Sequence, residues 1–202
     1  MIRILQIASA EEDLRKVFVA GSIIFGLVLT GCGGNPENTT PGGDATSEKP
    51  TATEESPTPP RSGPAKATDV AEKCSIVPES VSQGEGADQA PRELESNGRM
   101  GCKYQKGKAG TPGWSVFVAV SGQTSYDAEV GKRVQPTKTA DLGGYPGVEY
   151  QDGTGCVLYA DISDNGFLIA NAGKTGTADP GVDLCQQAEK FAQAAIQNLP
   201  DA

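Results

Sequence analysis

The stretch that decides the fold covers residues 156–170 and reads CVLYADISDNGFLIA. Its two apolar runs, 156–162 and 167–170, flank the turn residues Asp164, Asn165 and Gly166. Turn chemistry of this kind between two apolar runs is typical of a β-hairpin. A third run at 148–150 precedes another turn, so we predict a meander of antiparallel strands.

Two further strands are predicted upstream of this meander, at residues 102–105 and 114–120. In the second of them Trp114, Val116 and Val118 alternate with Ser115 and Phe117, and this period of two indicates a half-buried strand. The remaining upstream segments are predicted to be a short helix within 74–81 with Pro78 at its first helical position, a polar loop at 83–99, and a helix within 126–134.

The last segment of the chain has the pattern of a long amphipathic helix. Asp179 is suited to cap it, Pro180 fits its first position, and Pro200 ends it. Apolar residues recur at helical spacing at Leu184, Ala188, Phe191, Ala195 and Leu199. We expect this helix to cover one face of the sheet, which gives an α+β fold: a small antiparallel sheet flanked by a short N-terminal helix and a long C-terminal helix.

Five cysteines divide into one near the N-terminus, Cys32, and four in the folded part, Cys74, Cys102, Cys156 and Cys185. An even number suggests two disulfides, and four cysteines allow three pairings. We favour Cys74 with Cys102 and Cys156 with Cys185, because these pairs close loops of similar length. Zinc is the competing interpretation, but no two of the four have the C-x₂-C or C-x₄-C spacing.

The N-terminal segment is typical of a bacterial lipoprotein signal. A basic pair at 15–16 precedes an uncharged apolar run at 17–29, VFVAGSIIFGLVL, which is too short to span a membrane comfortably. L-T-G-C follows at 29–32 and resembles a lipobox. We therefore predict a signal peptide at 1–31 and acyl chains on Cys32. Acidic residues at 11–13 are unusual in such a signal, and translation from Leu14 is the alternative start.

Residues 32–66 form the predicted tether, and residues 67–202 the single extracytoplasmic domain. The tether is rich in Pro, Thr, Ser, Gly and Glu and contains no aromatic residue, Leu, Ile, Val or Met. It therefore lacks the apolar surface whose burial would offset the conformational entropy lost on folding.

The charge balance limits the possible partners. The chain has 17 basic and 26 acidic residues and a net charge of −9, and the segment before Cys32 contains three of each sign. This balance argues against nucleic acid as a partner. Membrane attachment is therefore expected through acyl chains on Cys32, at the outer face of the cytoplasmic membrane.

Five motifs in residues 70–200 resemble actinobacterial lipoproteins grouped only as a domain of unknown function, number 3558. They are KCSIVPESV at 73–81, GCKY at 101–104, LGGYPGV at 142–148, CVLYADI at 156–162 and DLCQQAEKFAQAAIQNLP at 183–200. The sequence departs from the family at Tyr104, where members often have Trp. The resemblance implies an extracytoplasmic sheet flanked by helices, similar to the Mog1 and PsbP type. It implies no activity.

No catalytic motif is convincing. The chain has no His, which removes His-dependent nucleophile activation and His-ligated metals. The G-K-T at 173–175 resembles a phosphate loop, but Leu168 occupies the place of its first Gly. The run from Asp161 to Gly166 resembles the start of a calcium loop, but Ala172 stands where a bidentate Glu is required.

Two carboxylate pairs were considered for acid–base chemistry: Glu93 with Glu95, and Asp161 with Asp164. We interpret both as solvated loop acids. Trp114 and Tyr145 either line a pocket or belong to the core, and the core is the favoured interpretation.

We therefore expect a protein that is not an enzyme and needs no cofactor or metal. Its expected role is a binding or accessory module with an envelope protein as partner, or a small ligand. The alternatives are a carrier or sensor of an apolar or lipid ligand and, less favoured, a carboxylate-based wall hydrolase.

Overall fold

The structure is a computed structural model and describes residues 59–177 and 181–202. The predicted signal peptide, Cys32 and most of the predicted tether lie outside these ranges. Within them, no helix has the length and apolar character needed to cross a membrane.

The described residues form seven β-strands and three α-helices. The strands are β1 (Gln89–Ser96), β2 (Arg99–Gln105), β3 (Trp114–Ser121), β4 (Lys138–Asp141), β5 (Pro146–Gln151), β6 (Gly155–Ser163) and β7 (Gly166–Lys174). The helices are α1 (Glu79–Gly84), α2 (Tyr126–Val130) and α3 (Leu184–Asn198). A 3₁₀ turn at Lys73–Ser75 precedes α1.

The strands form one antiparallel sheet in the order β1-β2-β3-β7-β6-β5-β4. Two meanders, β1-β2-β3 and β4-β5-β6-β7, meet where β3 pairs with β7. The segment containing α2 carries the chain from the centre of the sheet to its far edge. The α+β fold with an antiparallel sheet and flanking helices is confirmed.

The β1–β2 hairpin corrects the predicted loop at 83–99. Asn97 has a φ of 51° and Gly98 a φ of 73°, as a two-residue hairpin turn with positive φ at both positions requires. The turn places Arg92 opposite Lys103 and Leu94 opposite Gly101. The short edge strand β4 was also missed, because its four residues are mostly polar and exposed.

Helix α3 covers one face of the sheet, which we call the first face; the opposite face is the second face. Tyr104, Trp114 and Phe191 are fully buried between sheet and helix. The Phe191 ring centroid lies 5.2 Å from that of Tyr104 and 5.6 Å from that of Trp114. Aromatic rings therefore fill this interface.

Strand β3 is buried more completely than predicted. Phe117 on the second face is only 8% exposed and Ala119 1%. The prediction of a half-buried strand is wrong because the second face is also covered along part of its length.

The helix starts also differ from the predictions. Helix α3 is capped by Asp183, whose carboxylate accepts hydrogen bonds from the backbone N–H groups of Cys185 and Gln186, at 2.8 and 3.1 Å. Asp179 is therefore not its cap, and Asp179 and Pro180 lie outside the described residues. Pro78 is the N-cap of α1 and not its first helical residue.

Both predicted disulfides are confirmed, and zinc is excluded as the partner of these sulfurs. Cys74 bonds to Cys102 and joins the 3₁₀ turn to β2, while Cys156 bonds to Cys185 and joins β6 to α3. Both bridges therefore hold elements against the first face.

Residues 59–66, which the sequence analysis assigned to the tether, make specific contacts with the domain. The backbone N–H groups of Ser62 and Gly63 donate to the Gly144 carbonyl, and Lys66 forms an ion pair with Asp201 at 2.7 Å. The Lys66 N–H also donates to the Ile162 carbonyl. These contacts place the segment along the β4–β5–β6 side of the sheet.

Candidate functional site

The two aromatic residues considered for a pocket belong to the core. Trp114 is fully buried, and its Nε1 has no hydrogen-bond partner among the described residues. Tyr145 is 5% exposed, and its hydroxyl donates to the Pro64 carbonyl at 2.8 Å. Neither ring is available to a ligand.

Three of the four acids in the two carboxylate pairs, Asp161, Asp164 and Glu93, have structural partners. Arg61 Nη1 lies 2.6 Å from Asp161, and Nη2 lies 2.6 Å from Asp164, so one guanidinium forms an ion pair with each acid. Burial raises the pKa of Asp161 above its ordinary value, although Arg61 opposes the shift. Glu93 accepts a hydrogen bond from the Lys73 N–H at 2.7 Å.

The two motifs with a weak likeness to known loops are parts of the sheet. Gly173 and Lys174 are the last residues of β7 and do not form a phosphate loop. The run from Asp161 to Gly166 contains the end of β6, the two-residue turn at Asp164 and Asn165, and the first residue of β7, with Ser163 paired with Gly166.

A buried carboxyl that the sequence analysis missed lies where β5 meets α3. Glu149 is 2% exposed, and its Oε1 lies 3.7 Å from Lys138 Nζ, too far for a hydrogen bond. Lys138 Nζ donates instead to Glu189 Oε1 at 2.6 Å. Burial and, to a smaller extent, the neighbouring Glu189 raise the pKa of Glu149 to about 7.

The surroundings of Glu149 do not form a metal site. Its carboxylate and the sulfurs of Cys156 and Cys185 lie within 4.8 Å of one another. Because the two sulfurs are joined in a disulfide, they cannot act as thiolate ligands. Glu149 is thus a buried carboxyl on β5 beside Glu189, with no thiolate available to share a metal ion.

The second face of the sheet is divided into two halves, and α2 covers one of them. Tyr126 and Val130 of α2 pack on Phe117, Tyr159 and Phe167. We call this the covered half. Ser125 caps the helix by accepting from the Ala128 N–H.

An ion cluster fixes α2 to the covered half. Glu129, whose side chain is 7% exposed, lies 2.8 Å from Arg133 and 3.3 Å from Arg99. The Arg133 guanidinium lies over the Tyr159 ring at 4.4 Å, and Arg99 lies over Phe167 at 5.2 Å. Each cation therefore contacts both an acid and an aromatic face.

The other half of the second face is open and contains a polar groove. We call it the cationic groove; it has a volume of about 570 Å³. Ten residues line it: four are basic, four neutral and polar, two alanine and none acidic. The basic residues are Arg92, Lys103, Lys108 and Lys174.

The sheet register brings two of these cations together. Arg92 on β1 lies opposite Lys103 on β2, and Lys103 lies opposite Phe117 on β3. One row further along the same face, Gln105 lies opposite Ser115. Lys108 belongs to the β2–β3 loop, and Lys174 ends β7.

The positive charge of the groove is not neutralised by the described part of the chain. Within residues 59–177 and 181–202, none of the four cations forms an ion pair. Burial and the repulsion of Arg92 lower the pKa of Lys103. A groove lined by four cations that find no acidic partner in the described part of a chain of net charge −9 is the candidate binding surface.

None of the groove residues was predicted from the sequence as a binding residue: Ser115 entered only as a strand residue, and Lys174 only in the rejected phosphate-loop motif. The sequence feature that could have revealed the Arg92–Lys103 pair is Asn97-Gly98, the strongest short hairpin signal in this part of the chain. Counting outward from that turn places Arg92 beside Lys103.

Comparison with curated proteins finds no match, and comparison with solved structures finds none either. The likeness to the Mog1 and PsbP type therefore stays a prediction. A family profile described as "Protein of unknown function (DUF3558)" matches residues 27–198, which is most of the chain. The chain therefore belongs to this family, DUF3558.

Proposed function

We propose that the protein is a lipid-anchored binding module of the cell envelope, without enzymatic activity, held at the outer face of the cytoplasmic membrane. Its binding surface is the open half of the second face. The observation that carries this proposal is the cationic groove, where four cations without an ion-pair partner among the described residues line one surface of an acidic protein.

The disulfides support an extracytoplasmic location. Cys102 and Cys156 are fully buried, and both are bonded. Structural disulfides form and persist in oxidising compartments. The L-T-G-C motif ending at Cys32 supplies the export signal and the anchor that this location requires.

The placement of the titratable groups supports binding over catalysis. Glu149, whose pKa is raised to about 7, is 2% exposed and lies against a disulfide, so a substrate in solution cannot reach it. The charged side chains that do face the groove are Lys and Arg, which hold anions. Hydroxyl and amide groups, among them those of Ser115 and Gln105, also line it.

The carrier alternative gains no support from the interface of sheet and helix. A carrier of an apolar ligand needs a cavity lined by apolar side chains. Phe191 instead packs directly on Tyr104 and Trp114, and Ala188 and Ala195 beside it are fully buried. We therefore place the binding surface on the opposite side of the sheet.

Site-specific crosslinking in living cells tests the proposal. A photocrosslinking phenylalanine analogue is placed at Ala90 on the groove rim, and in a control at Gln193 on the exposed side of α3. We expect one discrete adduct from the Ala90 position and none from the control. Equal crosslinking from both positions, or from neither, contradicts a dedicated binding surface. Mass spectrometry of the same material is expected to show acyl chains on Cys32.

A further inference from the structure

We propose that the cationic groove binds an extended acidic segment of a partner protein, through carboxylates that pair with its lysines and its arginine. This inference rests on the proposed function and adds the chemistry of the partner.

The unpaired charge is the first argument. Seven other basic residues of the described ranges form ion pairs. The groove cations lie on the same molecule, with 26 acidic residues available in the chain, and pair with none of the described ones. Charge complementarity therefore points to an anionic partner supplied from outside the domain.

The spread of the charges is the second argument. Arg92 and Lys103 are neighbours on adjacent strands, about 5 Å apart at Cα. Lys108 and Lys174 come from a loop and from a strand end. Cations distributed along a groove of about 570 Å³ fit an extended ligand with several separated charges better than one small anion.

The backbone N–H groups near the groove are already hydrogen-bonded, which favours peptide carboxylates over phosphates as the ligand. Phosphate sites usually use free backbone N–H groups at helix starts or loops. Here the N–H groups of Lys108, Gly110 and Thr111 all donate within the region, to Thr111 Oγ1, the Thr175 carbonyl and the Lys108 carbonyl. Side-chain charge is therefore the main attraction that the groove offers.

A glutamine on the groove wall adds to this preference. Gln89 Nε2 donates to the backbone carbonyl and the carboxylate of Asp88, at 3.1 and 2.9 Å. These bonds use both of its N–H groups and leave Oε1 as an acceptor. An acceptor suits the backbone N–H of a peptide, whereas a phosphate diester offers no donor.

The test measures binding of a labelled peptide to the complete, acylated chain in lipid nanodiscs, by fluorescence anisotropy. The probe is an eight-residue peptide of alternating Glu and Ser, and the control peptide has Gln in place of Glu. We expect the acidic peptide to bind and the control peptide to fail. Binding is expected to weaken as the salt concentration is raised.

Matched variants assign the binding to the groove. Lys103→Gln with Lys108→Gln removes two groove charges, and Lys132→Gln with Lys190→Gln removes two charges outside the groove, one just after α2 and one in α3. We expect the groove variant to lose about tenfold in affinity and the control about twofold or less. Equal losses in both variants would overturn the inference.

Two further experiments test whether the groove binds phosphate or anionic lipid headgroups in place of peptide carboxylates. Inorganic polyphosphate competing better than the peptide at equal charge concentration would overturn the choice of carboxylate. Peptide binding abolished in anionic nanodiscs but present in neutral ones would show that the groove holds lipid headgroups instead. A specific crosslink at Ala90 without any peptide binding would retain the proposed function and overturn this inference alone.

Discussion

The two faces of the sheet differ in what covers them. On the first face α3 and two disulfides seal an apolar interface in which Tyr104, Trp114 and Phe191 are fully buried. On the second face the five-residue helix α2 covers one half, and the other half carries the cationic groove. The same sheet thus provides a core on one side and a charged surface on the other.

This difference separates stability from binding. Burial of large apolar side chains is the main source of folding free energy, and it is concentrated on the first face. Unpaired lysines on an exposed surface contribute little to stability. We therefore expect substitutions on the two faces to affect different measurements.

The largest expected effect is on the first face. Phe191→Ala removes a ring that packs on two others, and we expect it to lower the free energy of unfolding by about 3 to 5 kcal/mol. Urea unfolding followed by circular dichroism measures the change. Gln193→Ala, on the exposed side of the same helix, is the control. A loss below about 1 kcal/mol for Phe191→Ala would mean that the interface is not tightly packed.

A smaller effect is expected on the covered half of the second face. Burial raises the pKa of Glu129, but the hydrogen bond from Arg133 and the charge of Arg99 outweigh it and hold the pKa below its ordinary value. Glu129→Gln leaves Arg99, Lys132 and Arg133 without their shared anion, and we expect a loss of about 1 to 3 kcal/mol near pH 7.

The pH dependence provides a check on this second prediction. Because the pKa of Glu129 is lowered on folding, its contribution is present at neutral pH and is lost as the pH falls through the folded value. The difference between wild type and Glu129→Gln is therefore expected to shrink in acid. The matched control is Glu95→Gln at an exposed position of β1. An equal loss in the control would contradict a specific role of the cluster.

For Glu149 we expect the stability of the fold to depend on pH in the opposite direction. Its pKa is raised to about 7 on folding, so the folded state binds the proton more tightly than the unfolded chain. Stability is then full below the ordinary carboxyl value and falls as the pH rises through about 7. We expect Glu149→Gln to be about 1 to 2 kcal/mol more stable than wild type at pH 8, with little difference at pH 4.

Thermal unfolding at a series of pH values tests the prediction for Glu149. Glu189→Gln serves as the comparison because it removes the neighbouring charge and leaves the buried carboxyl. Parallel pH profiles for wild type and Glu149→Gln would show that Glu149 does not titrate in this range.

The smallest effect on stability is expected in the cationic groove. Lys103→Gln with Lys108→Gln removes charges that have no anionic partner among the described residues and relieves the repulsion between Lys103 and Arg92. We expect the free energy of unfolding to change by less than about 0.5 kcal/mol, while peptide affinity falls. A large loss of stability would mean that these lysines are structural.

Much of the fold follows from local sequence signals. The apolar runs at 156–162 and 167–170, their turn, and the helical spacing around Phe191 predict the meander and α3, because periodicity and turn chemistry act over short distances. Both disulfide pairs also follow from cysteine number and loop length.

The missed features depend on contacts between distant residues. Asp183 caps α3 in place of Asp179, since the choice between two Asp residues depends on where the helix docks. Strand β1 is mostly exposed, with only Leu94 as an inward apolar residue, so its periodicity is weak. The cationic groove requires the β1–β2 register and the approach of β7, and Glu149 comes close to Glu189 of α3 only in the folded chain.

The central claim is that the open half of the second face is occupied by a partner outside the cell membrane. Labelling with a membrane-impermeant amine reagent tests it directly, in intact cells and with the purified protein. We predict that Lys132 and Lys190 react in both samples, while Lys108 and Lys174 are protected in cells and react only after purification. Equal labelling of all four lysines in both samples would contradict an occupied groove, and no labelling in intact cells would contradict the extracytoplasmic location.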